Sequence, residues 1–329
     1  MGGLITIRTA MRLFWSALSI AIWMPSMATA ETYPERPVRI IVPTSAGGSI
    51  DTLARTMAAQ LSAKWNKAVV VENRSGAAMI VGVDSVARAA ADGYTLLVAH
   101  DGAMAMNPAL FPTLPYSPQK DFEPLALMVA IPEVILANRS TGADSLNAFI
   151  GLARRQPGKL NHRTGGPASL LAFELFKGMA GIDVVGVQYR GAAPSVTAVI
   201  AGEVQLCITD IAAANPALQS DRVRALAVTT ASRAKRFPDL PTAHEAGVPG
   251  YDVQVWLGLF APAGTPSDVR RTIEAAVKEV LARPDVQEKL EAIGMELRSG
   301  AAEDLRAVLA ADLAKWAKLV KEKNLQISQ

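Results

Sequence analysis

Small residues gathered into short turns are the part of this 329-residue sequence best suited to holding a ligand. Thr44-Ser45-Ala46-Gly47-Gly48 runs directly into an amphipathic stretch, with Asp51 just inside it. Side chains this small let a ligand approach the backbone, and the first N–H groups of a helix lack internal partners. Those donors, with the positive end of the helix dipole, suit a carboxylate or a phosphate. Gly76-Ala77-Ala78, Thr164-Gly165-Gly166 and Arg190-Gly191-Ala192 have the same character, each after an apolar run and before a helical pattern. Any one of them is equally a tight connection with a helix cap. Four, divided between two halves of the chain, favour a binding cleft, because ligands collect where strand ends converge in doubly wound sheets.

Reactive constellations are sparse by comparison. The sequence contains no Gly-x-Ser-x-Gly elbow, no phosphate-loop motif and no Gly-x-Gly-x-x-Gly fingerprint. Its three histidines, His100, His162 and His244, form no local pair of the kind that binds zinc, so neither a metal nor a cofactor is expected. Cys207, inside the apolar run 204–208, reads as a structural thiol. These features favour a binding protein over an enzyme, an enzyme acting on an organic acid in the same cleft being the rival.

The elements that must position the turns follow from periodicity. Half of the residues are hydrophobic, 19% are charged, and the formal net charge is only +3, which argues against both disorder and a nucleic-acid partner. Apolar residues at 50, 53, 54, 57, 58 and 61 make one helical stripe between strands at 38–43 and 68–72, and a second helix at 80–90 leads to a strand at 94–99. That βαβαβ order predicts a mostly parallel sheet with helices on both faces. After a proline-rich stretch the theme resumes, with strands at 133–137, 182–187, 204–209 and 224–229 and helices at 146–155, 170–179 and 195–201. A strand at 252–261 is followed only by helical patterns, including 304–320. The expected architecture is α/β with two domains, the first discontinuous: 31–131 plus 254–329, and 132–253.

Arg8 and Arg12 precede an apolar stretch from Leu13 to Met24, and Ala28-Thr29-Ala30 supplies small residues for a peptidase. Residues 1–30 are therefore expected to be a secretory signal peptide, cleaved after Ala30 to leave a soluble periplasmic protein.

At the same turns the chain resembles the Bug family of periplasmic solute receptors of tripartite tricarboxylate transporters. The resemblance rests on Ile41-Val42-Pro43, Ala46-Gly47-Gly48 with Asp51 and Arg55, Val71-Glu72-Asn73-Arg74 with Gly76-Ala77, and Asp92-Gly93-Tyr94-Thr95-Leu96. It continues through Tyr189-Arg190-Gly191, Arg224-Ala225-Leu226-Ala227-Val228-Thr229-Thr230 and Gly258-Leu259-Phe260-Ala261-Pro262-Ala263-Gly264-Thr265-Pro266. It implies a type II-like periplasmic-binding-protein fold, a monomer whose two domains close on a small carboxylate held largely by backbone amides. Family ligands are di- and tricarboxylates, acidic amino acids and some aromatic or heterocyclic acids. The implied partners are membrane permease subunits or a sensor kinase.

The chain departs from the family at two loops. A Gly-Gly pair usually follows the Gly-Ala matched by Gly76-Ala77, where this sequence has Ala78-Met79. The loop of Thr164 is shorter than usual and carries Arg163 where relatives have a small residue. Arg163 has two readings: a guanidinium reaching into the cleft to take one ligand carboxylate bidentately, or a solvated surface arginine. Asp210 matches a family position near the cleft and is equally suited to N-cap the next helix.

Overall fold

The computed structural model describes residues 33–164, 167–189, 192–298 and 301–325; the expected signal peptide lies outside them. In chain order the first elements are β1 (Val38–Val42), α1 (Ser49–Trp65), β2 (Val69–Asn73), α2 (Ile80–Ala87), β3 (Thr95–His100), α3 (Asn107–Leu110) and β4 (Phe122–Asn138). Next come α4 (Leu146–Arg155), β5 (Asn161–Thr164), α5 (Pro167–Ala180), β6 (Val185–Gln188), α6 (Ala192–Ala201), β7 (Leu206–Asp210), α7 (Ile211–Leu218) and β8 (Val223–Val228). The chain finishes with β9 (Gln254–Pro262), α8 (Ser267–Leu281), α9 (Pro284–Ala292), β10 (Glu296–Leu297) and α10 (Ala302–Lys323).

The fold is α/β, with helices covering a mixed sheet of order β2-β1-β3-β9-β4-β7-β5-β6. Parallel pairing holds where the βαβ pattern predicts it, in β2-β1-β3 and in β7-β5-β6. The pairs made by β4 and β9 with β3, β7, β8 and β10 and with each other are antiparallel. β4 joins the two parallel groups: its pairing with β9 ends at Pro132 opposite Gln254, and its pairing with β7 begins at Glu133 opposite Asp210.

Helix α1 shows why the segments settle where they do. All six residues of its predicted stripe, Ile50, Leu53, Ala54, Met57, Ala58 and Leu61, are buried. Each large one stabilises the fold by roughly 1.5–3 kcal/mol relative to exposure. The helix stops at Asn66, whose φ of +50° is the left-handed conformation that ends helices.

β4 and β10 differ from the sequence expectation, and β5 forms at 161–164 where a loop is expected. β4 begins at Phe122, far ahead of the expected start at 133, and contains Pro124 and Pro132. Proline removes a ladder donor, and the register shifts between Pro124 and Ala126, where the strand accommodates the missing bond. β10 was expected to be part of an all-helical tail, but two residues of it pair with Ala130 and Val129 of β4.

Candidate functional site

The loop between β1 and α1 is shaped from beneath by one carboxylate. Asp51, only 3% exposed, accepts the Gly47 N–H at 2.9 Å and Arg55 Nε at 3.0 Å on Oδ2, and Asn73 Nδ2 at 2.9 Å on Oδ1. Asn73 Nδ2 also donates to the Thr44 carbonyl at 3.1 Å, and Arg55 Nη2 donates to Asn73 Oδ1 at 2.9 Å. Burial pulls the Asp51 carboxyl upward, but the bonds from Arg55, Gly47 and Asn73 together outweigh it and hold the group below the usual carboxylate range. Gly47 has φ +90°, which only glycine adopts freely, and its amide is consumed inside the loop. The first helical bond runs from the Thr52 N–H to the Gly48 carbonyl, so the amides just before Thr52 are the donors α1 offers a ligand.

The β2–α2 turn carries strain. Gly76 has φ +142°, and Ala77, Ala78 and Met79 follow at +44°, +51° and +75°. Three successive side-chain-bearing residues in the left-handed region explain why glycines suit the last two positions in the family pattern. Buried Asn107 braces the turn by donating from Nδ2 to the Ala78 carbonyl at 2.8 Å. Ala78→Gly is expected to raise stability by about 0.5–1 kcal/mol, strain relief exceeding the entropy glycine adds to the unfolded chain. Urea unfolding checks this, and an unchanged or lower midpoint would mean that Ala78 carries no strain.

A cavity of about 530 Å³ opens beside the first loop. Thr44, Ser45, Ala46 and Gly48 form one wall; His100, Glu133 and Asp210 form the polar part of the other, with Ile131, Val255 and Leu257 between. A space of about 600 Å³ between α1 and α8, bordered by Lys64 and Glu279, is lined by residues of those two helices alone. The first cavity, where the carboxyl ends of β1 and β3 meet that of β7, is therefore the candidate site.

Its polar groups are unevenly satisfied. The Thr44 hydroxyl oxygen is buried with no hydrogen-bond partner. Asp210 serves as N-cap of α7, accepting the Ala213 N–H at 2.8 Å, and also lines the cavity. His100 Nδ1 accepts the Gly102 N–H at 2.9 Å and lies 3.2 Å from the carboxyl of buried Asp101, whose pKa is raised by that burial. Glu133 is pushed up to about 7, chiefly by burial and further by Asp101 and Asp210, with Arg163 pulling it down. Glu133 and His100 were missed in the sequence. His100 ends a strand, which is a usable signal; Glu133 looked like the unremarkable start of one.

Other expected site residues are distributed differently. Gly47 is in the loop but not in the wall, and Gly76, Ala77 and Ala78 stand apart from it. Thr164 closes β5 and Ala192 opens α6, while Gly165, Gly166, Arg190 and Gly191 lie outside the described residues. Arg163 is neither a solvated arginine nor part of the cavity wall: it is 7% exposed, with its guanidinium against the Cys207 thiol. β5 lies between β6 and β7, so the Arg163 side chain leaves the sheet face beside that of Cys207 on β7. Burial pushes the Cys207 thiol up to about 11, which leaves it protonated and unreactive at neutral pH.

Residues 53–325 match the model of the tripartite tricarboxylate transporter family receptor. The chain belongs to this receptor family. BugT of Bordetella pertussis is 33% identical to the receptor over 298 residues, covering 89% of this chain and 91% of BugT. R. palustris Rpa4515, solved with adipate, is 35% identical with a TM-score of 0.76 over 88% of this chain and 97% of that one. MatC from Rhodopseudomonas palustris, solved with bound malate, is 33% identical with a TM-score of 0.73 over 88% of the receptor and 100% of MatC. Among the described residues no helix of the receptor is long and apolar enough to cross a membrane.

Proposed function

We propose that this receptor captures a small organic acid in the cavity between the first loop and the β4–β7 face, and delivers it to the membrane subunits of a tripartite transporter. The observation that carries the reading is the cavity wall itself, in which the start of α1 and the unpartnered Thr44 hydroxyl meet at strand ends. The adipate and malate held by two relatives support the ligand class. The proposed working unit is the chain after Ala30, exported to the periplasm and acting as a monomer without chemistry of its own. Its proposed domains are 31–131 plus 254–329, and 132–253; the exchange of β4 partners between Pro132 and Glu133 supports that division. Hinge closure about β4 and the start of β9 is the motion such a division permits.

A melting screen over di- and tricarboxylates, amino acids and aromatic acids tests the reading. A matching acid at about 100 times its Kd adds about 2.7 kcal/mol to unfolding stability. Gly48→Val should remove that response while the fold survives. Gly48 has an extended backbone with φ −82°, and a Cβ there meets nothing within 4 Å, so the new side chain fills the cavity and not the core. A screen in which no acid shifts the transition overturns the proposal.

A further inference from the structure

We infer that Glu133 selects the chemical class of the ligand: a zwitterion with one carboxylate, held at the start of α1, and one protonated nitrogen, held against Glu133 and Asp210. The inference rests on the receptor reading above and sharpens it. The two walls of the cavity have opposite character. On one side stand the helix amides with Thr44 and Ser45, which favour an anion. On the other, Glu133 and Asp210 are direct register partners on adjacent antiparallel strands, placing their side chains on one face as neighbours.

Among the described residues, no cation forms an ion pair with that acidic wall, and no group donates a hydrogen bond to the Glu133 carboxyl. Arg163, the cation acting on Glu133 from β5, is turned to Cys207 and does not line the cavity. Among the described residues, the other titratable groups around it are Asp101 and His100 at the end of β3, the Cys207 thiol and the buried Tyr251 phenol, none of which supplies a fixed positive charge. A ligand with a second carboxylate would set like charges together at this wall. A protonated nitrogen would instead supply the missing partner of Glu133 and make charge-assisted bonds to both acids.

Proton linkage gives the idea a sign. Glu133 titrates near 7, so an ammonium group binds its ionised form and gains affinity as pH rises through that value. A dicarboxylate requires the protonated form and loses affinity over the same range.

The test is calorimetric titration of the full mature chain with three length-matched pairs: β-alanine and succinate, 4-aminobutanoate and glutarate, 5-aminopentanoate and adipate. In the pair whose length fits, the amino acid should bind at least tenfold more tightly at pH 8, and its affinity should rise from pH 6 to pH 8. Glu133→Gln, close to isosteric, should reduce that preference by about tenfold and flatten the pH dependence. A dicarboxylate that binds as tightly as its amino partner in every pair overturns the inference while leaving the receptor reading intact. So does failure of all six probes when another acid binds; failure of every acid in the melting screen overturns the receptor reading itself.

Discussion

Replacing Asp51 with alanine is expected to lower folding stability by about 2–3 kcal/mol and to abolish ligand capture in the same step. The carboxylate holds the Gly47 amide, Arg55 and Asn73 together, and Asn73 in turn carries the Thr44 carbonyl. Its removal leaves the Gly47 N–H and an Asn73 donor without acceptors and frees the loop that forms one cavity wall. Arg55 is half exposed, so its own pairing with Asp51 contributes little, and most of the loss comes from the orphaned amides. The folded pKa of Asp51 is lowered, so its contribution is complete above the usual carboxylate range and disappears as pH falls through the lowered value. Urea unfolding of wild type and variant should therefore show a gap at pH 7 that narrows toward pH 3. A variant that retains both stability and affinity would show that the loop keeps its shape without Asp51.

Gly82→Ala should be nearly as damaging, through sterics alone. A Cβ at Gly82 in α2 would stand 2.6 Å from the Arg74 carbonyl oxygen and 2.7 Å from the Pro43 Cα. Both obstacles are backbone, tied together by the Arg74 N–H donating to the Val42 carbonyl at 2.8 Å, so no side chain can swing aside. Overpacking of this kind costs about 2–3 kcal/mol. Here the element pushed away is the exit of β1, which carries Thr44 and Ser45 into the cavity wall, so affinity should fall at least tenfold with stability. Titration and chemical unfolding of the same sample check the pair of effects. Full affinity in Gly82→Ala would detach the loop position from this contact.

The two variants mark how far the sequence could be read. The small residues of 44–48, the apolar stripe of α1 and the βαβ order were legible because they depend on local spacing, and α4 falls on the expected 146–155. The first half of β4 was not, since Pro124 and Pro132 are local signals against a strand, outweighed only by pairing with β9. Asp312 shows the same limit on a helix. It interrupts the apolar face of α10, and its purpose is visible only once Trp256 Nε1 is seen donating to it at 2.7 Å from β9.

Glycine, alanine and a helix start act through their own dihedrals and amides, so the small-residue character of 44–48 shows in local spacing. What faces that loop is set by tertiary pairing. Glu133 and Asp210 become neighbours through antiparallel register between β4 and β7, and His100 joins them because β3 ends beside the same loop. Arg163, adjacent in sequence to a ligand-friendly turn, is taken out of the cavity wall by the alternation of side chains in β5. Strand pairing sets which charges meet across a cavity, and pairing between segments far apart in the chain leaves no mark on local residue spacing.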